Sequence, residues 1–356
     1  MKYLLSGHYR QTPKERLQEI AESTPTETCA DHYGTGEVIT EFENKIAAVL
    51  GKPAAVFMPS GTMAQQIALR ILTDQAASKR VGFHGTSHLE IHEHSAYLKL
   101  HGLESVLLGQ SDRLITLSDL QMISEPLGAL LLELPQREIG GLLPSWQDLV
   151  AQTQWAKEQG TRLHMDGARL WECQPFYQRP YSEICSLFDT VYVSFYKGLG
   201  GIAGAILAGP IDIIEEARVW QRRHGGNLIS LYPYVLSADQ CFEKRLGKMA
   251  AYHERAVEIA QCLKGLPGLR IQPELPQTNM MHVFFTAPKE KLEAEALQLA
   301  QDEKALIFKS LRKGLRPVEG TQECMFEIST GDASLDFPMD RLRGCFERVL
   351  KGALTI

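Results

Sequence analysis

The chain has little that would mark it as a secreted, membrane-bound or nucleic-acid-binding protein. Its 7 cysteines are scattered and odd in number, with no C-x-x-C pair. That spacing excludes a disulfide framework and a structural zinc site and predicts reduced thiols, with Cys173 and Cys185 buried. No apolar run is long enough to span a bilayer, and the short run within Met1–His8 is too brief for a secretory signal. A cytoplasmic location is the expectation. Basic charge is not in excess: 37 Lys and Arg face 43 Asp and Glu, a net charge of −6. No nucleic-acid or membrane partner is expected. There is no repeat at solenoid spacing, no low-complexity segment, and no strand followed by G-x-G-x-x-G, so a dinucleotide site is disfavoured.

What is present is an ordinary globular composition, 44% hydrophobic and 22% charged, in a chain of 356 residues. That length exceeds the usual ceiling for one core. Short apolar runs alternate with helical patterns from residue 54 onward. Ala54–Met58, Val81–Phe83, Ser105–Leu108, Ala129–Glu133, Arg162–Met165 and Val191–Val193 read as strands, and Ala205–Gly209 as one more. Pro13–Glu22, Glu41–Leu50, Met63–Leu72, Trp146–Gln159, Ile211–Arg223 and Gln240–Leu263 read as helices. Continuous apolar strands separated by helices predict an α/β fold with a mostly parallel sheet covered on both faces. After Gly268 the strands Met281–Phe285 and Cys324–Ile328 alternate with helices, which predicts a smaller α+β domain. The expected division is an N-terminal arm over 1–30, a large domain over 31–245 and a small domain over 246–356.

Four segments carry chemistry. Lys197 leaves the apolar run 190–193 and enters the glycine-rich turn Gly198-Leu199-Gly200-Gly201. A lysine desolvated there is an amine nucleophile toward an aldehyde. Asp166 ends another apolar strand at the edge where open α/β sheets bind ligands. A salt bridge to Arg169 is the plain alternative for it. Lysine as imine former and aspartate as partner of a pyridinium nitrogen are the groups that pyridoxal phosphate requires. Pro59-Ser60-Gly61-Thr62-Met63-Ala64 follows a strand and opens a helix, with Ser60 or Thr62 as the cap. Such a helix start is either a plain cap or a phosphate site. His88, His92 and His94, with Glu90 and Glu93, suggest a metal at first, but H-E-x-x-H is absent and no third ligand is obvious. A cofactor-facing His88, able to stack on a pyridine ring and act as acid or base, is preferred, and no metal is expected.

Taken together, these segments resemble the threonine aldolase and β-eliminating lyase family of pyridoxal-phosphate enzymes. The likeness spans roughly residues 30–210. It includes His32-Tyr33-Gly34, the Ser60-Gly61-Thr62 turn, His88 with Glu93, Glu133 followed by Gly140-Gly141, the run His164 to Trp171, and Ser194 to Leu199. The resemblance implies a fold-type I architecture, a large cofactor domain with a mixed, mostly parallel sheet plus a small C-terminal α+β domain, in a homodimer or homotetramer. It implies that Lys197 carries the cofactor, Asp166 pairs with its ring nitrogen and His88 stacks on the ring. Ser60, Gly61, Thr62, Arg169 and Ser194 would contact the cofactor. Arg169, Ser6, Tyr33 and Glu93 would meet a small amino-acid substrate. The implied reaction is cleavage of the Cα–Cβ bond of a β-hydroxy-α-amino acid. Elimination or racemisation on the same fold, or a non-catalytic binding role, are the alternatives.

The departures lie on the substrate side. The family's late arginine, which grips the substrate carboxylate, is replaced by Phe326 in Phe326-Glu327-Ile328-Ser329-Thr330. The usual serine-aspartate-threonine becomes Ser6-Gly7-His8, and the usual Gly-Gly-x-Met-Arg-Gln becomes Gly225-Gly226-Asn227-Leu228-Ile229-Ser230. Arg10, Arg222 and Arg312 are the candidate replacements.

Overall fold

The computed structural model describes residues 1–76, 78–313 and 323–354. A seven-stranded sheet forms from β1 (Ala54–Met58), β2 (Arg80–His84), β3 (Glu104–Leu108), β4 (Ala129–Glu133), β5 (Arg162–Gly167), β6 (Thr190–Ser194) and β7 (Ala205–Gly209). The spatial order is β1-β7-β6-β5-β4-β2-β3. Strands β2 to β6 pair in parallel, and β7 runs antiparallel between β1 and β6.

Strand alternation explains why the apolar runs are continuous. Val56 and Met58, Val81 and Phe83, Ala129 and Leu131, and Ala205 and Leu207 point to one face, where they pack on Ala64, Ile67, Ala68 and Ile71 of the Gly61–Gln75 helix. The intervening Phe57 points the other way and meets Phe42 of the Glu37–Leu50 helix, ring centroids 6.0 Å apart. Both faces of the central strands are buried, so they are mostly apolar, and a polar residue there such as His164 is itself buried and hydrogen-bonded to Thr190.

The described residues divide into two compact units. One comprises Thr12–Glu138 and Leu143–Gly247 and contains the seven-stranded sheet. The other comprises Met1–Gln11, Ile139–Leu142 and Lys248–Ile356. Its four-stranded antiparallel sheet uses β8 (Leu269–Gln272), β9 (Met280–Phe285), β10 (Arg312–Lys313) and β11 (Cys324–Ser329) in the order β10-β11-β9-β8. A short parallel pair joins Tyr3 to Ala305 and Leu4 to Leu306, which explains why the first residues group with the C-terminal ones. The helix expected over Gln240–Leu263 is two helices, Tyr232–Arg245 and Met249–Leu263, separated by a tighter turn at Leu246–Lys248. Gly247 sits in that turn and weakens a continuous helix there.

Candidate active site

The carboxyl ends of β4, β5 and β6, with the start of the Gly61–Gln75 helix, border a narrow cleft. Lys197, Asp166, His88, Glu93, Gly61, Thr62 and Arg169, all named from the sequence, line it. Residues more than 130 positions apart converge because parallel strands bring their carboxyl ends to one edge.

Lys197 is half-buried in the turn after β6, its Nζ 5.1 Å from the centroid of the Tyr196 ring. That turn is held from outside by two guanidiniums: Arg16 Nη2 donates to Gly200 O at 3.0 Å and Arg245 Nη1 to Leu199 O at 2.6 Å. Gly198 is required by packing, since a Cβ there would lie 1.9 Å from Glu172 Oε1. Burial pushes the Glu172 carboxyl up to about 7.

Asp166 does not pair with Arg169. Its Oδ2 accepts from Gln65 Nε2 at 2.8 Å and its Oδ1 from the Ala168 N–H at 3.0 Å. Burial raises its pKa above the ordinary carboxylate range. Glu133 lies directly opposite in the β4–β5 register, and burial followed by the Asp166 charge pushes it up to about 8. Two neighbouring desolvated carboxyls make a place that favours a cationic or proton-donating ring. A protonated pyridine nitrogen answers that description, and the buried Gln65 Oε1, with no hydrogen-bond partner, marks further unmet polarity beside it.

Ser60 is the helix cap, its Oγ accepting from Met63 N–H at 3.2 Å. Gly61 has no alternative, because a Cβ would sit 1.9 Å from Tyr192 Oη. The first N–H groups of this 15-residue helix point out of its N-terminus, where an anion is favoured. The cradle therefore fits a phosphate, and the whole donor set fits pyridoxal phosphate.

His88 Nδ1 lies 2.9 Å from Glu93 Oε1, and Glu93 Oε2 accepts from Gln66 Nε2 at 2.7 Å. A carboxylate only accepts, so Nδ1 carries the proton and Nε2 is left as the basic nitrogen. His92 turns to a different carboxylate, Glu138 Oε1, at 3.1 Å.

Of the residues named from the sequence, Ser60, Ser194, Tyr33 and Ser6 are not among those that line this cleft. Ser194 Oγ donates to Ala168 O at 2.8 Å and braces the Asp166 turn. Tyr33 is exposed, with φ of 51°, under the Arg222 guanidinium at 5.7 Å. Ser6 belongs to the other unit, where its Oγ donates to Ser329 O at 3.2 Å. Gln65, Thr86, Arg137, Glu138, Tyr192 and Tyr196 also line the cleft and were not singled out; His92, weighed only as a metal ligand, lines it too. Arg137 and Glu138 follow the β4 terminus directly, and that position was the available signal.

Sheet order and donor set define a fold-type I enzyme of the pyridoxal-phosphate class. A family model described as beta-eliminating lyase matches residues 21–286, and the chain belongs to that family of lyases. A solved structure from Listeria monocytogenes EGD-E, of a protein whose proposed activity is L-allo-threonine aldolase, is 46% identical with a TM-score of 0.92, covering 98% of this chain and 96% of its own. A solved Exiguobacterium sp. 255-15 protein, proposed to be an aromatic amino acid beta-eliminating lyase/threonine aldolase, is 42% identical with a TM-score of 0.92, covering 98% and 97%. Among curated proteins, low-specificity L-threonine aldolase 1 of Arabidopsis thaliana is 25% identical over 288 residues, 78% of this chain and 80% of its own.

Proposed function

We propose that the protein is an aldolase that uses pyridoxal phosphate to cleave the Cα–Cβ bond of a β-hydroxy-α-amino acid of the L-threonine or L-allo-threonine type, giving glycine and an aldehyde. The observation that carries this reading is the His88–Glu93 pair in the same cleft as Lys197 and Asp166. Bound there, the cofactor supplies an electron sink for the charge left on Cα.

The chain's own residues do the rest. Lys197 provides the amine that holds the cofactor aldehyde. The buried Asp166 carboxylate keeps the ring nitrogen protonated, with Gln65 fixing its orientation. The N–H groups at Gly61 and Thr62, with the Ser60 cap, receive the phosphate. Arg169 reaches the ring hydroxyl or the substrate. His88 Nε2 takes the β-hydroxyl proton, and Glu93 fixes the imidazole in the tautomer that leaves this nitrogen basic. An assembly of two or four copies belongs to the same proposal, and sedimentation equilibrium measures it. Among the described residues no helix is long and apolar enough to cross a membrane.

The test is chemical. Borohydride reduction, digestion and mass spectrometry are expected to find a pyridoxyl group on Lys197. L-Threonine or L-allo-threonine is expected to yield glycine and acetaldehyde, and Lys197→Ala to abolish the yield. Pyruvate or an inverted enantiomer in place of the aldehyde would redirect the reading to elimination or racemisation.

A further inference from the structure

An amino-acid substrate brings a carboxylate into a cleft that already holds Asp166, Glu133, Glu93 and Glu138. Some cation has to receive it. Phe326, which stands where the family has its gripping arginine, is a core residue of its unit. Its ring stacks on Phe285 at 5.9 Å and 9° and lies 5.0 Å from Phe308. Arg222 is engaged over the exposed Tyr33 ring. Two arginines line the cleft, Arg137 and Arg169.

We infer that Arg137 grips the substrate α-carboxylate, an assignment that rests on the aldolase reading above. Arg137 opens the short turn Arg137–Ile139 just after β4, at the same sheet edge as Asp166. Its backbone N–H donates to Glu133 Oε1 at 3.1 Å, which fixes where the side chain departs. Its Nη1 donates to Glu138 Oε1 at 2.8 Å, and the same oxygen lies 3.1 Å from His92 Nε2. Glu138 is buried, so the guanidinium is oriented by a carboxylate that cannot wander. A planar, pre-oriented fork matches a carboxylate in two hydrogen bonds, which an ammonium cannot do. Arg169 leaves the Asp166 turn itself, whose Ala168 N–H already serves Asp166. By that origin it belongs with the ring, and Arg137, arriving from the neighbouring strand, belongs with the substrate. The sheet edge thus supplies what the late strand has lost.

The test compares glycine with glycinamide, in which a neutral amide of similar shape replaces the carboxylate, by titration calorimetry on the cofactor-loaded protein. Neither ligand has a Cα–Cβ bond, so binding is read apart from aldol cleavage. The wild type is expected to prefer glycine by roughly ten- to hundred-fold, the range of a charge-assisted contact. Arg137→Gln is expected to bring the ratio near one while glycinamide binding and cofactor content stay unchanged. Arg137→Lys, which keeps charge without the fork, is expected to fall between and serves if the glutamine variant does not fold. A variant that still discriminates as the wild type does overturns the assignment and leaves the aldolase reading intact. So does loss of cofactor with an unchanged ratio, which would place Arg137 at the phosphate. A wild type that binds neither ligand overturns both.

Discussion

Glu172 shows how much a single buried carboxyl can weigh. It is 1% exposed beneath the Lys197–Gly198 turn, and burial raises it to about 7 from 4.5. A carboxyl raised in the folded state adds stability that is complete below its unfolded value and is lost as pH climbs through the folded one. Between pH 5 and 8 the wild type is therefore expected to lose about 3 kcal/mol that Glu172→Gln does not. Melting temperatures of the two across that range check it. Glu93 acts through another residue. Glu93→Gln is expected to lower kcat about 100-fold, because the tautomer of His88 is no longer imposed, while KM changes little; steady-state kinetics with L-threonine measure this. At this scale the cleft positions of Lys197 and Asp166 were legible, since a charged group at the end of an apolar strand is costly without a task, and that of His88 from the histidine cluster that opens the His88–Ile91 helix. Gln65 and Tyr192 were not. One sits a turn inside a helix and the other within an apolar strand, and their roles depend on how that helix lies against that strand.

At the scale of elements, the strands were the most readable parts, because burial on both faces makes the central ones mostly apolar. Helix ends were read less well. The Glu37–Leu50 helix starts four residues before the expected Glu41, its buried Ile39 already in step with Phe42 and Ile46, and the Gly61–Gln75 helix starts two before Met63, where the apolar spacing has not yet begun. The contact between helix start and strand β6 gives a test. Gly61→Ala would drive a methyl into the Tyr192 ring hydroxyl. Overpacking of this kind costs about 1–3 kcal/mol, and the displaced helix start is expected to weaken cofactor binding as well. Thermal melting and fluorescence titration with pyridoxal phosphate read the two effects separately.

For the molecule as a whole, each unit has its own core. That of the C-terminal unit gathers Phe285, Phe308, Phe326 and Phe346. Phe346→Ala is expected to destabilise by about 3–5 kcal/mol, with hydrogen exchange accelerating first in Lys248–Leu354. Length and the change of pattern after Gly268 gave the expectation of a large and a small domain behind an N-terminal arm. The grouping of Met1–Gln11 with the C-terminal residues had no signal, because two residues pairing across three hundred leave no periodic trace. Arg16 carries a related lesson for anyone shortening this chain from its front. Trimming through the Pro13–Ser23 helix would remove one of the two clasps on the turn that presents the reactive amine, with nothing in the cleft itself touched. The same cut strips Met1–Gln11 from the C-terminal unit, with the fully buried Leu5 among them, so a shortened chain that melts early and works slowly reports two losses at once, neither of them in the chemistry.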